Sequence, residues 1–132
     1  MFAYTMLGTN DLPRALKFYS PVMSLLGQPQ VGCDDRLVTW GSYDDYALPG
    51  FSIGLPVNDA LATFGNGTML AFRAPSSVVV DSLYEAAISN GGSDEGTPGF
   101  RPHVWPGFYS AYVRDPDGNK LSFTCYHAEE HG

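Results

Sequence analysis

The sequence predicts an α+β fold of two β-α-β-β-β units, on three observations. Strand-like and helix-like stretches follow in the order strand, helix, three strands, and the order then repeats. A shift of 65 residues (69 − 4) carries Tyr4 onto Met69 and Gly27 onto Gly92; it also lays Phe18-Tyr19 on Leu83-Tyr84 and Val22-Met23 on Ala87-Ile88. Strand, helix face and helix end thus coincide, although identity between the halves is low, which marks an architectural repeat. Finally, 132 residues at 44% hydrophobic and 16% charged have the size and balance of one ordinary domain with a real core.

Each element has a local reason. Phe2-Ala3-Tyr4-Thr5-Met6-Leu7 is rich in β-formers and reads as the first strand. Asn10 or Asp11 is a natural helix N-cap, with Pro13 in the first turn, where its missing N–H costs least. Leu12, Leu16, Tyr19, Met23 and Leu26 recur at helical spacing, Gly27 supplies the stop, and Pro21 should bend or split this helix. Strands are expected at 30–33, 36–41 and 51–55, with a polar loop over 42–50. The second unit opens with a strand at 68–73. Pro75-Ser76-Ser77 then starts a helix with Val80, Leu83, Tyr84, Ala87 and Ile88 on one face, and Asn90-Gly91-Gly92 ends it. A short edge strand at 93–97 and strands at 109–114 and 120–126 complete the unit. Asp115-Pro116-Asp117-Gly118 between the last two has hairpin chemistry, Pro early and Gly late. The expected organisation is one domain over 1–132, with module one at about 1–57 and module two at about 66–127.

The net charge is −7, from 7 basic and 14 acidic residues, with no basic run; this argues against a nucleic-acid partner. No apolar stretch approaches the roughly 20 residues that span a membrane. No basic-flanked apolar leader precedes the first strand, and Cys33 and Cys125 show no CxxC spacing, so the expected location is the cytoplasm with both thiols reduced.

Leu7-Gly8-Thr9-Asn10-Asp11-Leu12 followed by Lys17-Phe18-Tyr19, then Gly65-Asn66-Gly67-Thr68, Ala71-Phe72-Arg73-Ala74, Gly91-Gly92 and Pro98-Gly99-Phe100-Arg101-Pro102 are family-like stretches. The strongest is Val113-Arg114-Asp115-Pro116-Asp117-Gly118-Asn119-Lys120-Leu121. With these, nearly the whole chain resembles the glyoxalase/bleomycin-resistance/extradiol-dioxygenase superfamily, also called vicinal oxygen chelate. The resemblance implies that the two modules form a cup-shaped mixed sheet with the helices outside. It also implies that metal-dependent members hold one divalent ion inside the cup, with His or Gln from the first strand of each module and Glu from the last.

Strand alternation indicates which residues face that cup. Leu121, Phe123 and Cys125, and likewise Phe51, Ile53 and Leu55, form the helix-side sets. Lys120, Ser122, Thr124 and Tyr126 then face the cup, as do Ser52 and Gly54; Tyr4 and Met6 face it from the first strand and Met69, Ala71 and Arg73 from the fifth. The positions at which the resemblance implies metal ligands are therefore Tyr4, Ser52, Met69 and Ser122. A phenol, two hydroxyls and a thioether are poor ligands for a catalytic divalent ion, which takes imidazole and carboxylate. No metal and no cofactor is expected, and the glyoxalase, dioxygenase and fosfomycin-type activities that use the metal as Lewis acid lose their support. The three histidines offer no substitute: His127 and His131 have i,i+4 spacing in a polar tail, and His103 stands alone in a loop.

The stretch Gly99-Phe100-Arg101-Pro102-His103-Val104-Trp105-Pro106-Gly107-Phe108-Tyr109 is aromatic-rich and proline-stiffened. It reads either as a pocket wall, with Arg101 for an anion and His103 as proton carrier, or as a loop covering one end of the sheet. Arg73 reads as a ligand-carboxylate binder or as half of an internal ion pair, and Trp40 as core. There is no G-x-G-x-x-G between strand and helix and no G-x-S-x-G.

The expected function is therefore a small-molecule-binding protein of this superfamily, metal-independent, holding an aromatic or amphipathic ligand in the cup. Its ligand-binding residues are expected to be Tyr4, Met69, Arg73, Arg101, His103, Trp105 and Ser122, and it is expected to form a homodimer. The alternative is a glyoxalase-type enzyme, a lactoylglutathione-lyase-like lyase or isomerase or a dioxygenase-like metalloenzyme with an atypical site; its catalytic candidate is His103, which then needs a second titratable group within reach. A third reading is a structural or regulatory module whose acidic surface or sheet edge binds a protein.

Overall fold

A computed structural model describes residues 1–44 and 49–129 of the chain. The elements are β1 (Tyr4–Gly8), α1 (Leu12–Leu25), β2 (Gln30–Cys33), β3 (Leu37–Trp40), β4 (Gly50–Gly54), β5 (Leu70–Arg73), α2 (Ser77–Ser89), β6 (Ser93–Phe100), β7 (Tyr109–Arg114) and β8 (Lys120–Cys125). They form two four-stranded mixed sheets, β1-β4-β3-β2 and β5-β8-β7-β6, so the α+β fold of two β-α-β-β-β units stands as expected. In each sheet the first strand pairs parallel to the last, and the remaining pairs are antiparallel.

The helix ends follow local chemistry. Asp11, not Asn10, caps α1 by accepting from the Arg14 N–H at 3.0 Å, while Asn10 bonds the backbone of Ala62 in both directions. At the other end Gly27, at φ +69°, lets its own N–H reach the Ser24 carbonyl and the Gln28 N–H reach the Met23 carbonyl. That is a Schellman stop, and it needs the left-handed residue that glycine supplies. In α2 the equivalent left-handed glycine is Gly91 at φ +101°, not Gly92. The N-caps Asp11 and Ser76 keep the 65-residue shift (76 − 11), but α2 has 13 residues against 14 in α1, so its stop comes one residue early. Pro21 does not split α1; buried Phe18 and Tyr19 before it, and Val22 and Met23 after it, hold both sides of the turn from which it removes one hydrogen bond.

The helices also bury more than their periodicity announced. Ala15, Phe18 and Val22 are fully buried beside Leu12, Tyr19 and Met23, because α1 touches both its own sheet and α2. On α2, Val80, Leu83 and Ala87 are buried, but Ile88 is exposed, a correction to its place on the core face. One buried cluster takes in Trp40, Phe51 and Ile53 from the first sheet and Ala111, Val113, Leu121, Phe123 and Cys125 from the second. Trp40 is thus core, as expected, and both cysteines are free, with Cys33 exposed and Cys125 buried. Phe51 meets Phe72 edge to face at 5.2 Å, where the two units touch. The edge strand β6 runs on to Phe100, three residues beyond expectation, with register shifts near Gly96 and Gly99.

The hairpin between β7 and β8 joins the modules. Gly118 turns it at φ +92°, with its N–H bonded to the Asp115 carbonyl. Asp115 is 3% exposed and accepts four hydrogen bonds: from the Asp117 and Asn119 N–H groups, the Asn119 side-chain amide and the Tyr19 hydroxyl of α1. Asp117 accepts from the Thr9 hydroxyl, the Asn10 N–H and Arg14, and Asn119 donates to the Gly8 carbonyl. The turn motif is therefore also a clasp onto the β1–α1 corner. Burial, followed by the Asp115 charge and hydrogen bond, drives the Tyr19 hydroxyl well above its ordinary value.

Candidate functional site

Each sheet turns one face to the helices and leaves the other without a helix. On β5 the alternation is clear: Leu70 and Phe72 are partly buried, while Ala71 and Arg73 are exposed. Tyr4, on β1 at 58% exposure, and Met69, just before β5 at 47%, lie on the helix-free side as expected. Ser52 and Ser122 face the same way but are buried by their neighbours. The Tyr43 hydroxyl bonds Ser52, and the Tyr43 ring lies 5.2 Å from that of Tyr4. Ser122 shares a 2.7 Å hydrogen bond with Thr124. Tyr43, from the polar stretch expected over 42–50, thus closes over Ser52, a contact that strand alternation does not announce; residues 45–48 lie outside the described residues.

The two faces differ in chemistry. The first gathers Tyr4, Met6, Leu37, Thr39 and Tyr43 and is mainly apolar. The second carries, row by row, Arg73, Thr124 and Ser110, then Ala71, Ser122 and Tyr112, then Lys120 and Arg114. Ser110 donates to the Tyr112 hydroxyl at 3.2 Å. Arg101 lies with its guanidinium carbon 5.6 Å from the Tyr112 ring centre, and the Lys120 ammonium lies 5.7 Å from the same centre. Between the modules runs a groove of about 540 Å³, lined by Phe2, Thr5, Phe51, Met69, Ala71 and Phe72.

The remaining expected site residues separate. Arg73 is exposed and has no ion pair among the described residues, so the internal pair is not what it makes. It lines a cavity of about 240 Å³ with Met23, Gln28, Trp40, Phe51 and Phe72, which Arg101 and Lys120 do not line. Trp105 meets Phe108 edge to face at 4.8 Å, lies tilted against Tyr126 at 5.5 Å and donates its indole N–H to the Tyr126 carbonyl at 2.9 Å, which pins the loop against the end of β8. His103 is exposed, and among the described residues no titratable group bonds it. Of the His127/His131 pair, His131 lies outside the described residues.

The four positions implied for a metal thus bring a phenol, a capped hydroxyl, a thioether and a bonded hydroxyl, a donor set that does not fit a catalytic divalent ion. Among the described residues no three His, Cys, Asp or Glu side chains come together in a group able to hold one.

Two modules on a shared helix pair, each with an open sheet face, define a two-module α+β protein with an apolar and a cationic surface. The chain belongs to the Glyoxalase/Bleomycin resistance protein/Dioxygenase superfamily, whose model matches residues 1–123. It is similar to the crystal structure of a glyoxalase/bleomycin resistance protein from Albidiferax ferrireducens T118, with 38% identity, a TM-score of 0.82, and 95% of this chain and 98% of that one covered. A glyoxalase-related enzyme from Fulvimarina pelagi shares 21% identity at a TM-score of 0.74, over 95% of this chain and 87% of that one. A family enzyme from Burkholderia phytofirmans PsJN shares 17% at 0.68, over 94% and 97%; these last two likenesses speak for the fold alone. Among curated protein sequences none matches significantly.

Proposed function

We propose that this protein binds a small molecule on its helix-free sheet faces, without a divalent ion at Tyr4, Ser52, Met69 and Ser122. The carrying observation is the chemistry of those four positions. None offers an imidazole or a carboxylate, and both serine hydroxyls are already engaged. Of the expected residues the ligand would instead meet Tyr4 and Met69 on the open faces and Arg101, His103 and Trp105 on the flanking stretch, while Ser122 lies buried beneath the second face and Arg73 stands beside a separate cavity. One domain works in the cytoplasm, where two unpaired thiols are at home.

The test is elemental analysis of untagged protein followed by titration with nickel, zinc, manganese and ferrous iron. The expected result is less than a tenth of an equivalent bound at micromolar metal, on the order expected when hydroxyl and thioether replace imidazole and carboxylate. One tightly held ion per chain would return a metal-dependent lyase or dioxygenase to first place.

The working unit is a homodimer. Phe2, Met6 and Val31 are large apolar side chains left exposed on or beside the open faces, an arrangement that a second chain would cover. Light scattering at micromolar concentration is expected to give twice the mass of one chain, and a monomer there would remove the dimer.

A further inference from the structure

We propose that Arg101, Tyr112 and Lys120 form an anion-binding site on the second sheet, and that the ligand is an aromatic molecule carrying a carboxylate or a phosphate. This rests on the small-molecule reading above and gives it a ligand class.

Charge is the first observation. The chain has seven basic residues among fourteen acidic ones. Arg14, Arg36 and Arg114 are paired, with Asp117, Asp59 and Glu95 respectively. Arg101 and Lys120 have no carboxylate partner among the described residues, yet both approach one tyrosine ring, at 5.6 and 5.7 Å. The two cations reach the ring from the strands on either side of it, Arg101 from the end of β6 and Lys120 from β8, and among the described residues no acidic side chain neutralises either one. Glu95 on β6 is the carboxylate nearest in sequence to Arg101, and Arg114 holds it at 2.5 Å.

The second observation is that Arg101 is built into place. Its guanidinium donates to the Thr97 carbonyl at 2.7 Å, folding back along its own strand. A Cβ at Gly99 would lie 3.0 Å from one of its terminal nitrogens, and a Cβ at Gly96 would lie 3.5 Å from the other and 2.9 Å from the Tyr112 ring. The two glycines clear the strip of β6 on which the guanidinium rests. One of its five N–H groups is used in this bond, which leaves four for a ligand.

The third observation is the surroundings. Ser122 stands opposite Tyr112 in the register, and the Tyr112 hydroxyl is fixed by Ser110. A guanidinium, an ammonium and the Tyr112 hydroxyl, which accepts from Ser110 and keeps its own proton, are donors suited to anionic oxygens. The Tyr112 ring and the exposed Met69 offer apolar surface to the rest of the molecule.

The experiment uses two dyes with the same rings, the anionic 1-anilinonaphthalene-8-sulfonate and the neutral N-phenyl-1-naphthylamine, titrated by fluorescence into the full chain. The anionic dye is expected to bind about tenfold more tightly, and the R101Q/K120Q variant should lose that preference while binding the neutral dye unchanged. Competition by benzoate or by inorganic phosphate then tells a carboxylate site from a phosphate site. Equal binding of both dyes, or a preference that survives in the variant, overturns the anion site and leaves the small-molecule reading standing. Binding of neither dye overturns both. The variant is expected to keep the mass of the wild type in light scattering; a change of mass would assign the two cations to chain–chain pairing and overturn the site.

Discussion

Replacing Asp115 with alanine is expected to cost about 3 kcal/mol of folding stability, because the change strands buried donors rather than merely deleting a contact. The carboxylate accepts from two backbone N–H groups, the Asn119 amide and the Tyr19 hydroxyl, and it is almost fully buried. Tyr19 is fully buried, so its hydroxyl would have no water to turn to. Urea unfolding measures this as a lower midpoint at an unchanged slope. Tyr19→Phe should cost less, about 1 kcal/mol, since it removes one bond and keeps the ring packing. A loss below about 1 kcal/mol for the alanine variant would show that the clasp does not join the modules energetically.

The same carboxyl gives stability a pH dependence. Burial raises its proton affinity above that of an ordinary aspartate, and the hydrogen bonds from Tyr19 and Asn119 only partly offset this. A group whose folded value is raised contributes most below its unfolded value, and that contribution is lost as pH rises through the folded value. Between pH 3 and 7 the advantage of wild type over Asp115→Asn should therefore be largest at the acid end and shrink above about pH 4.

Gly92→Ala should be nearly as damaging, at about 3 kcal/mol, for a steric reason. A methyl there would lie 2.7 Å from the Ala87 carbonyl oxygen, 2.8 Å from the Phe18 ring and 3.1 Å from the Arg114 carbonyl oxygen. Two of the three are backbone, so relief requires moving α2 or β7 rather than turning a side chain. Gly27→Ala is the control: nothing lies within 4 Å of its methyl, and only the positive φ penalises it, by about 1 kcal/mol. Thermal or urea unfolding of the two variants gives the comparison, and a loss at Gly92 no larger than that at Gly27 would show that the packing around Gly92 yields to a methyl group.

Gly92 also illustrates where sequence reading stopped. As the second glycine after a helix it passes for a helix stop, and Gly91 does that work. Its actual constraint comes from α1 and β7, which no local pattern encodes. The helix faces show the same division. Period 3.6 found Leu12, Tyr19 and Met23, but Ala15, Phe18 and Val22 are buried by α2 and the second module as well as by the first sheet. Alternation placed Tyr4, Met69 and Ser122 on the open faces because a strand fixes side-chain direction residue by residue. It could not show that Tyr43 closes over Ser52, or that Arg101 doubles back to Tyr112, since both contacts depend on how loops return to the sheet.

What the sequence determined by itself was the order of elements, the two-module repeat, the approximate helix ends, the hairpin turn and the four side chains at the implied metal positions. Those are set by short-range chemistry: capping, strand period, glycine at positive φ, and residue type. What the tertiary structure decided was which of those pieces meet. It made the DPDGN turn a clasp onto α1, left Arg73 beside a separate cavity, and brought two unpaired cations to one tyrosine ring. Such meetings are set by the packing of one module against the other and by the return path of the chain across β6. Residues distant in sequence acquire a shared environment only once those surfaces close.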